Sequence, residues 1–170
     1  MLGLGYIGLP TACLLATHGH EVTGVDVKKE VVESIERGIP PFKEKGLDAL
    51  LSKAMPNLKA SMEPVKSDVF IIAVPTPLDP ELRIANLAYV RHAVESIVPY
   101  LEHGNLVVVE STVPPGVCEE FVHPLLERSG KRVYLAHCPE RAIPGNTLYE
   151  MVHNDRIIGC LLYTSPSPRD

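Results

Sequence analysis

Short apolar runs alternate along this chain with stretches of helical period. "EVTGVDV" is a β-branched strand ending at Asp26, "DVFIIAVPTP" a buried strand running into a proline-bracketed loop, "NLVVVEST" another, and "RVYLAHCPE" the last with its exit. Between them, Ala12 to Thr17 reads as the body of a first helix, closed by Gly19. "KKEVVESIERG" places Val31, Val32 and Ile35 on one helical face before Gly38, a pattern that ends helices. Pro40 and Pro41 force a loop, and "LDALLSKAM" resumes as a helix. Asn86 is positioned to cap a helix reaching Tyr100, and "GVCEEFVHPLLERSG" is a helix interrupted by Pro124, or one that starts again there. Strands that are apolar throughout, rather than alternating, are covered on both faces. Their alternation with helices predicts an α/β fold with a doubly wound parallel sheet.

The glycines change the picture from a fold class to a site. "MLGLGYIGLP" carries Gly3, Gly5 and Gly8 in the G-x-G-x-x-G spacing of a dinucleotide-binding turn. Gly3 serves the tight turn, Gly5 lets backbone approach a pyrophosphate, and Gly8 allows close helix packing. Amides around Tyr6 and Ile7 then face the phosphates from a helix N-terminus. Asp26, at the end of the following strand, suits the ribose hydroxyls, and its charge repels a 2′-phosphate, so NAD is expected rather than NADP. Lys28 and Lys29, just beyond, read as a solvated first helical turn. The fold is thus expected to be Rossmann-type. However, only Met1 and Leu2 precede the first glycine, too few for a core strand, and the first strand is expected to be truncated.

Ligands of open α/β sheets bind at the carboxyl ends of the strands. Those ends carry Thr76 in "AVPTP", Glu110, Ser111 and Thr112 in "ESTVPPG", and His137, Cys138, Glu140 and Arg141 in "HCPERAIPG". Any one Ser or Thr there serves equally well as turn chemistry; three polar loops at three strand ends point to a site.

Composition narrows the partners. The 170 residues suffice for one domain, with 45% hydrophobic and 22% charged residues. A net charge of -5 argues against a nucleic-acid binder, which needs a basic face. No apolar run approaches a membrane span. Cys13, Cys118, Cys138 and Cys160 form no C-x-x-C pair and no metal-ligand spacing, so no metal is expected, and reduced thiols suggest the cytoplasm. Cys13 and Cys138 read as small packed hydrophobes.

"GLGYIGLP", "VDV", "AVPTP", "ESTVPPG", "CPERAIPGN" and "NDRIIG" together resemble the UDP-glucose/GDP-mannose dehydrogenase family, over Leu2 to Gly159. The "CPER" to "NDR" stretch is similar to the branch acting on UDP-N-acetylhexosamines. The resemblance implies oxidation of the C6 alcohol of UDP-N-acetylmannosamine to the uronate with two NAD, by a full-length homodimer. UDP-N-acetylglucosamine or UDP-glucose as substrate, or a non-catalytic dinucleotide-binding module, are the alternatives. It implies further that Tyr6, Ile7, Asp26, Thr76 and Thr112 touch NAD, that Glu140 assists proton transfer or positions water, and that Arg141 and Ala142 line the sugar-nucleotide site. Glu140 could instead merely pair with Arg141 or Arg156. Such enzymes draw a nucleophilic cysteine from a G-G-H-C loop, and this sequence contains no such string. The chain alone is therefore expected to be inactive.

Residues 1–159 are expected to form the NAD-binding domain. After "DRIIG" comes "CLLYTSPSPRD", with no amphipathic period and two Ser-Pro pairs that oppose helix and central strand. Its back-translation reads as a sequencing-library adaptor, so residues 160–170 are expected to be a non-native tail.

Overall fold

The computed structural model describes residues 1–81, 83–143 and 145–160. Strands β1 (Val22–Val25), β2 (Leu58–Ser61), β3 (Val69–Ile72), β4 (Leu106–Val109), β5 (Tyr134–His137) and β6 (Gly159–Cys160) form the sheet. Helices α1 (Gly8–Thr17), α2 (Lys29–Glu36), α3 (Leu47–Ala54), α4 (Ala88–Ile97), α5 (His123–Glu127) and α6 (Thr147–His153) surround it. Among the described residues no helix is long and apolar enough to cross a membrane.

β1 pairs with β2, and β3, β4 and β5 pair in turn, all parallel. The two groups meet at one residue. Leu2 forms parallel bridges to Val25 on one side and Ile72 on the other. Four backbone hydrogen bonds hold it: Leu2 N–H to Ile71 at 2.7 Å, Gly3 N–H to Val25 at 2.8 Å, Val25 N–H to Met1 at 2.7 Å and Ala73 N–H to Leu2 at 2.8 Å. The segment at the centre of the sheet is thus one bridging residue. Counting it, the spatial order β2, β1, Leu2, β3, β4, β5 is the doubly wound order of dinucleotide-binding folds. The Met1 amine ends this segment. It donates to the Thr23 carbonyl at 2.9 Å, and burial lowers its pKa to about 6.

The core divides at the same place. Leu2 belongs to a cluster with Phe70, Ile72, Val94, Ile97, Val107 and Val109. Leu4 belongs to a second cluster with Leu9, Cys13, Ile35, Leu47 and Leu51.

α1 begins at Gly8, so the glycine turn runs straight into the helix as its spacing predicts, but other expectations need correction. β2 and α6 lay within stretches without an evident pattern, "NLKAS" and "TLYEMVH". The sheet is not wholly parallel: β6 runs antiparallel to β5, with Cys160 opposite Ala136. Cys160 thus lies beside β5; the rest of the expected tail, residues 161–170, lies outside the described residues. Pro124 acts as expected, since a π turn at Cys118–Val122 precedes α5, where the proline supplies no N–H. The cap of α4 falls on Leu87 rather than on Asn86, whose side-chain oxygen, one residue earlier, accepts the Ala88 N–H at 2.9 Å.

Candidate cofactor-binding site

The three glycines fall into two kinds. Gly3 has φ +89°, and a Cβ there would lie 2.5 Å from the Ala73 carbonyl oxygen; one on Gly8 would overlap the Gly3 carbonyl oxygen. Both are required by packing. A Cβ on Gly5 would meet nothing within 4 Å, and Gly5 is exposed. Nothing inside the protein demands a glycine there; what its bareness provides is open surface over backbone. The first helical donor is Leu9, bonded to Gly5 at 3.1 Å, so the Tyr6 and Ile7 N–H groups precede the ladder and remain for an outside acceptor. An open glycine beside free helix N-terminal amides fits a pyrophosphate.

Asp26 closes against this turn. Its Oδ2 accepts the Leu4 N–H and its Oδ1 the Lys28 N–H, each at 2.9 Å. Both oxygens keep lone pairs for further donors, which is what ribose hydroxyls require. Lys28 and Lys29 are exposed, and Lys29 pairs with Glu33 at 3.1 Å, as a solvated first turn does. The Tyr6 ring leans on Phe42, with centroids 4.4 Å apart.

The strand-end loops are cross-tied. Thr76 Oγ1 donates to the Thr112 carbonyl at 2.7 Å, bringing together two residues named from the sequence. Ser111 Oγ donates to the Val74 carbonyl at 2.7 Å, and His137 Nε2 lies 3.3 Å from the Ser111 carbonyl. Arg141 is exposed on the loop after β5, with Nη1 3.4 Å from the Asp155 carbonyl oxygen. Ala142 beside it is half-buried.

Arg156 does not pair with Glu140. It reaches Glu110, Nη1 to Oε1, at 3.1 Å, and Thr11 Oγ1 donates to the same oxygen at 3.2 Å. Glu110 is buried, and burial raises its pKa; Arg156 and Thr11 oppose that rise and the Glu140 charge adds to it. The Cys138 thiol is half-buried; burial raises its pKa, and the Arg156 charge opposes that rise. Cys138 thus lies at the site's edge rather than in the core, whereas Cys13 is fully buried and pushed up to about 12. The Glu110–Arg156 pair is what sequence reasoning missed. An acid directly after four apolar strand residues was the available signal; the arginine that meets it comes from a distant segment.

A glycine turn over open backbone, an acid closing on it, and polar strand ends beyond define a dinucleotide-binding domain. The UDP-glucose/GDP-mannose dehydrogenase family, NAD binding domain, matches residues 1–164, and the chain belongs to that family. It is 48% identical over 164 residues to the UDP-N-acetyl-D-mannosamine dehydrogenase of Methanococcus vannielii, covering 94% of this chain and 38% of that one. The enzyme of that name from Methanocaldococcus jannaschii gives the same values. Among solved structures, the native UDP-N-acetyl-mannosamine dehydrogenase of Staphylococcus aureus superimposes with a TM-score of 0.90 at 43% identity, covering 95% of this chain and 41% of that one. A ternary complex of GDP-mannose dehydrogenase from Pseudomonas aeruginosa gives 0.88 at 31% identity, with 94% and 40% covered. The chain spans about two-fifths of the length of these relatives.

Proposed function

We propose that this chain is the cofactor-holding part of a nucleotide-sugar 6-dehydrogenase that oxidises the C6 alcohol of UDP-N-acetylmannosamine. The observation that carries the cofactor side is Gly5, bare and open beside free helix amides, with Asp26 closed on the same turn. The dinucleotide supplies hydride acceptance when bound. This chain's residues do the rest: Gly5, Tyr6 and Ile7 amides hold the pyrophosphate, Asp26 accepts from the adenosine ribose, and Thr76 and Thr112 line the far half. Glu140 holds a proton for the reacting alcohol, a role supported by its one buried, unpartnered carboxylate oxygen. Arg141 and Ala142 lie on its loop and line the sugar-nucleotide side. The substrate comes from the names of the relatives, and the absence of a G-G-H-C string leaves the chain without the expected nucleophile. Free thiols at Cys13, Cys118 and Cys138 support a reducing compartment, the cytoplasm.

Two measurements test this. Calorimetry on the 170-residue chain is expected to show NAD binding at least tenfold tighter than NADP; equal affinities would refute the cofactor assignment. For the chemistry, residues 1–159 replace the matching segment of the Staphylococcus aureus enzyme. Glu140→Gln in that chimera is expected to slow UDP-N-acetylmannosamine oxidation by about 10²–10⁴-fold, the usual worth of general acid–base catalysis, with NAD affinity retained. Wild-type turnover in the mutant would assign Glu140 to loop structure.

A further inference from the structure

Two side-chain oxygens in the site are buried without a hydrogen-bond partner among the described residues: Oε2 of Glu110 and Oε2 of Glu140. The Glu110 side chain is only 5% exposed. Its other oxygen is fixed from two sides, by Thr11 of α1 and by Arg156, so Oε2 has a defined direction. Buried ionised oxygens are tolerated when paired or hydrogen-bonded, and this one is neither.

The charges around Glu110 do not balance. Arg156 faces it from the segment before β6, and Glu140 and Cys138 act on it from the loop after β5. Burial raises the Cys138 thiol, so it brings no compensating cation. Thr11 carries no charge. On β5 itself, His137 Nε2 is directed to the Ser111 carbonyl. One guanidinium therefore faces one buried carboxyl, on which the Glu140 charge also acts. Burial and the Glu140 charge both favour the protonated form of Glu110.

This arrangement lies where the second half of a dinucleotide falls. The glycine turn and Asp26 take the pyrophosphate and the adenosine ribose at the ends of the Leu2 segment and β1. The two-half layout of such folds then puts the other nucleoside over the ends of β3 to β5, where Glu110 and Glu140 stand. We propose that Glu110 carries a proton on Oε2 in the cofactor-free chain, gives it up to solvent when an oxidised, cationic nicotinamide ring binds over β4 and β5, and keeps it when the reduced, neutral ring binds. This rests on the cofactor reading above. A nearby cation favours the ionised carboxyl, and a neutral ring supplies no such field. The effect is a base that becomes available only beside the cofactor form able to accept hydride.

The proton and its release are tested separately on the 170-residue chain. In a ¹³C NMR titration of the glutamate carboxyls, Glu110 is expected to titrate above the ordinary carboxylate range, and Glu140→Gln to move it downward. A Glu110 that titrates like an exposed glutamate overturns the proposal whatever the cofactor does. Calorimetry in buffers of different ionisation enthalpy, at a pH where that titration finds Glu110 protonated, then counts protons. Release is expected on binding NAD⁺, with none on binding NADH, and its loss in Glu110→Gln. Equal exchange with both forms, or release that survives Glu110→Gln, overturns the release step. If neither form binds, it is the cofactor reading that fails and the release step with it, while the NMR result still decides the Glu110 proton.

Discussion

Asp26 Oδ2 accepts the Leu4 N–H at 2.9 Å, so the acid that closes β1 also closes the glycine turn. Binding and folding therefore share one carboxylate, and the two can be separated by choice of substitution. Asp26→Asn keeps an oxygen for Leu4 but removes the charge. Loss of a charge-assisted hydrogen bond costs about 1.5–3 kcal/mol, or roughly tenfold to over a hundredfold in affinity. NAD binding should weaken by that factor while the gap to NADP narrows, as read by calorimetry with both. An unchanged preference would remove Asp26 from the ribose site.

Gly5 and Gly8 should fail in opposite ways. The Gly8 Cβ would overlap the Gly3 carbonyl oxygen, and the Gly5 Cβ would meet nothing. Gly8→Ala should destabilise the chain by about 1–3 kcal/mol or more, as overpacking does. Gly5→Ala should melt within about 0.5 kcal/mol of the parent, as surface changes do, yet bind NAD at least tenfold more weakly. Denaturation and binding measured on both variants make the comparison. Equal effects on folding would contradict the division of roles.

Stability should depend on pH through two groups with opposite signs. The Met1 amine falls from its ordinary 8.0 to about 6 through burial, so the folded state binds fewer protons between those values. Stability then rises with pH across that window by about 2–3 kcal/mol. Glu110 is raised, so the folded state binds more protons above 4.5, and its contribution is lost as pH climbs through its folded value. Urea denaturation between pH 5 and 8 should follow the amine's rise in the upper part of the range. Glu110→Gln should remove the opposing slope below it. Flat stability from pH 6 to 8 would contradict the buried amine.

Leu2 is the most economical place to break the sheet. Its N–H and carbonyl bond to β3, and its side chain is buried. Leu2→Ala should cost about 2–5 kcal/mol through the cavity it leaves. The mirror experiment is Leu78→Ala at a 63% exposed position, expected to change melting little. Similar losses at the two sites would deny Leu2 its bridging role.

The elements that were legible in the sequence are those that are apolar along most of their length or whose ends carry punctuation. β3, β4 and β5 are continuous apolar runs, and α2 pairs a clear stripe with Gly38. β2 escaped because Leu58 is its one fully buried residue, so burial left no pattern to read. α6 escaped because Thr147 is its one buried residue; its start is held instead by Glu44, which accepts the Gly145 and Thr147 N–H groups at 3.0 and 3.1 Å. The site divides in the same way. Gly3, Gly5, Gly8 and Asp26 are close in sequence and follow a spacing rule. Glu110 and Arg156 are brought together only by the sheet, and no local spacing announces them.

The division of the core at Leu2 and Leu4 bears on how the molecule comes apart. One cluster is built on β3 to β5 and the other on α1 to α3, and between β1 and β3 the backbone is joined through the Met1–Gly3 segment. Cooperativity needs a wide seam, and here the backbone seam is three residues long. Amide hydrogen exchange should resolve two groups with distinct opening energies rather than one, and a single melting temperature would then describe neither half.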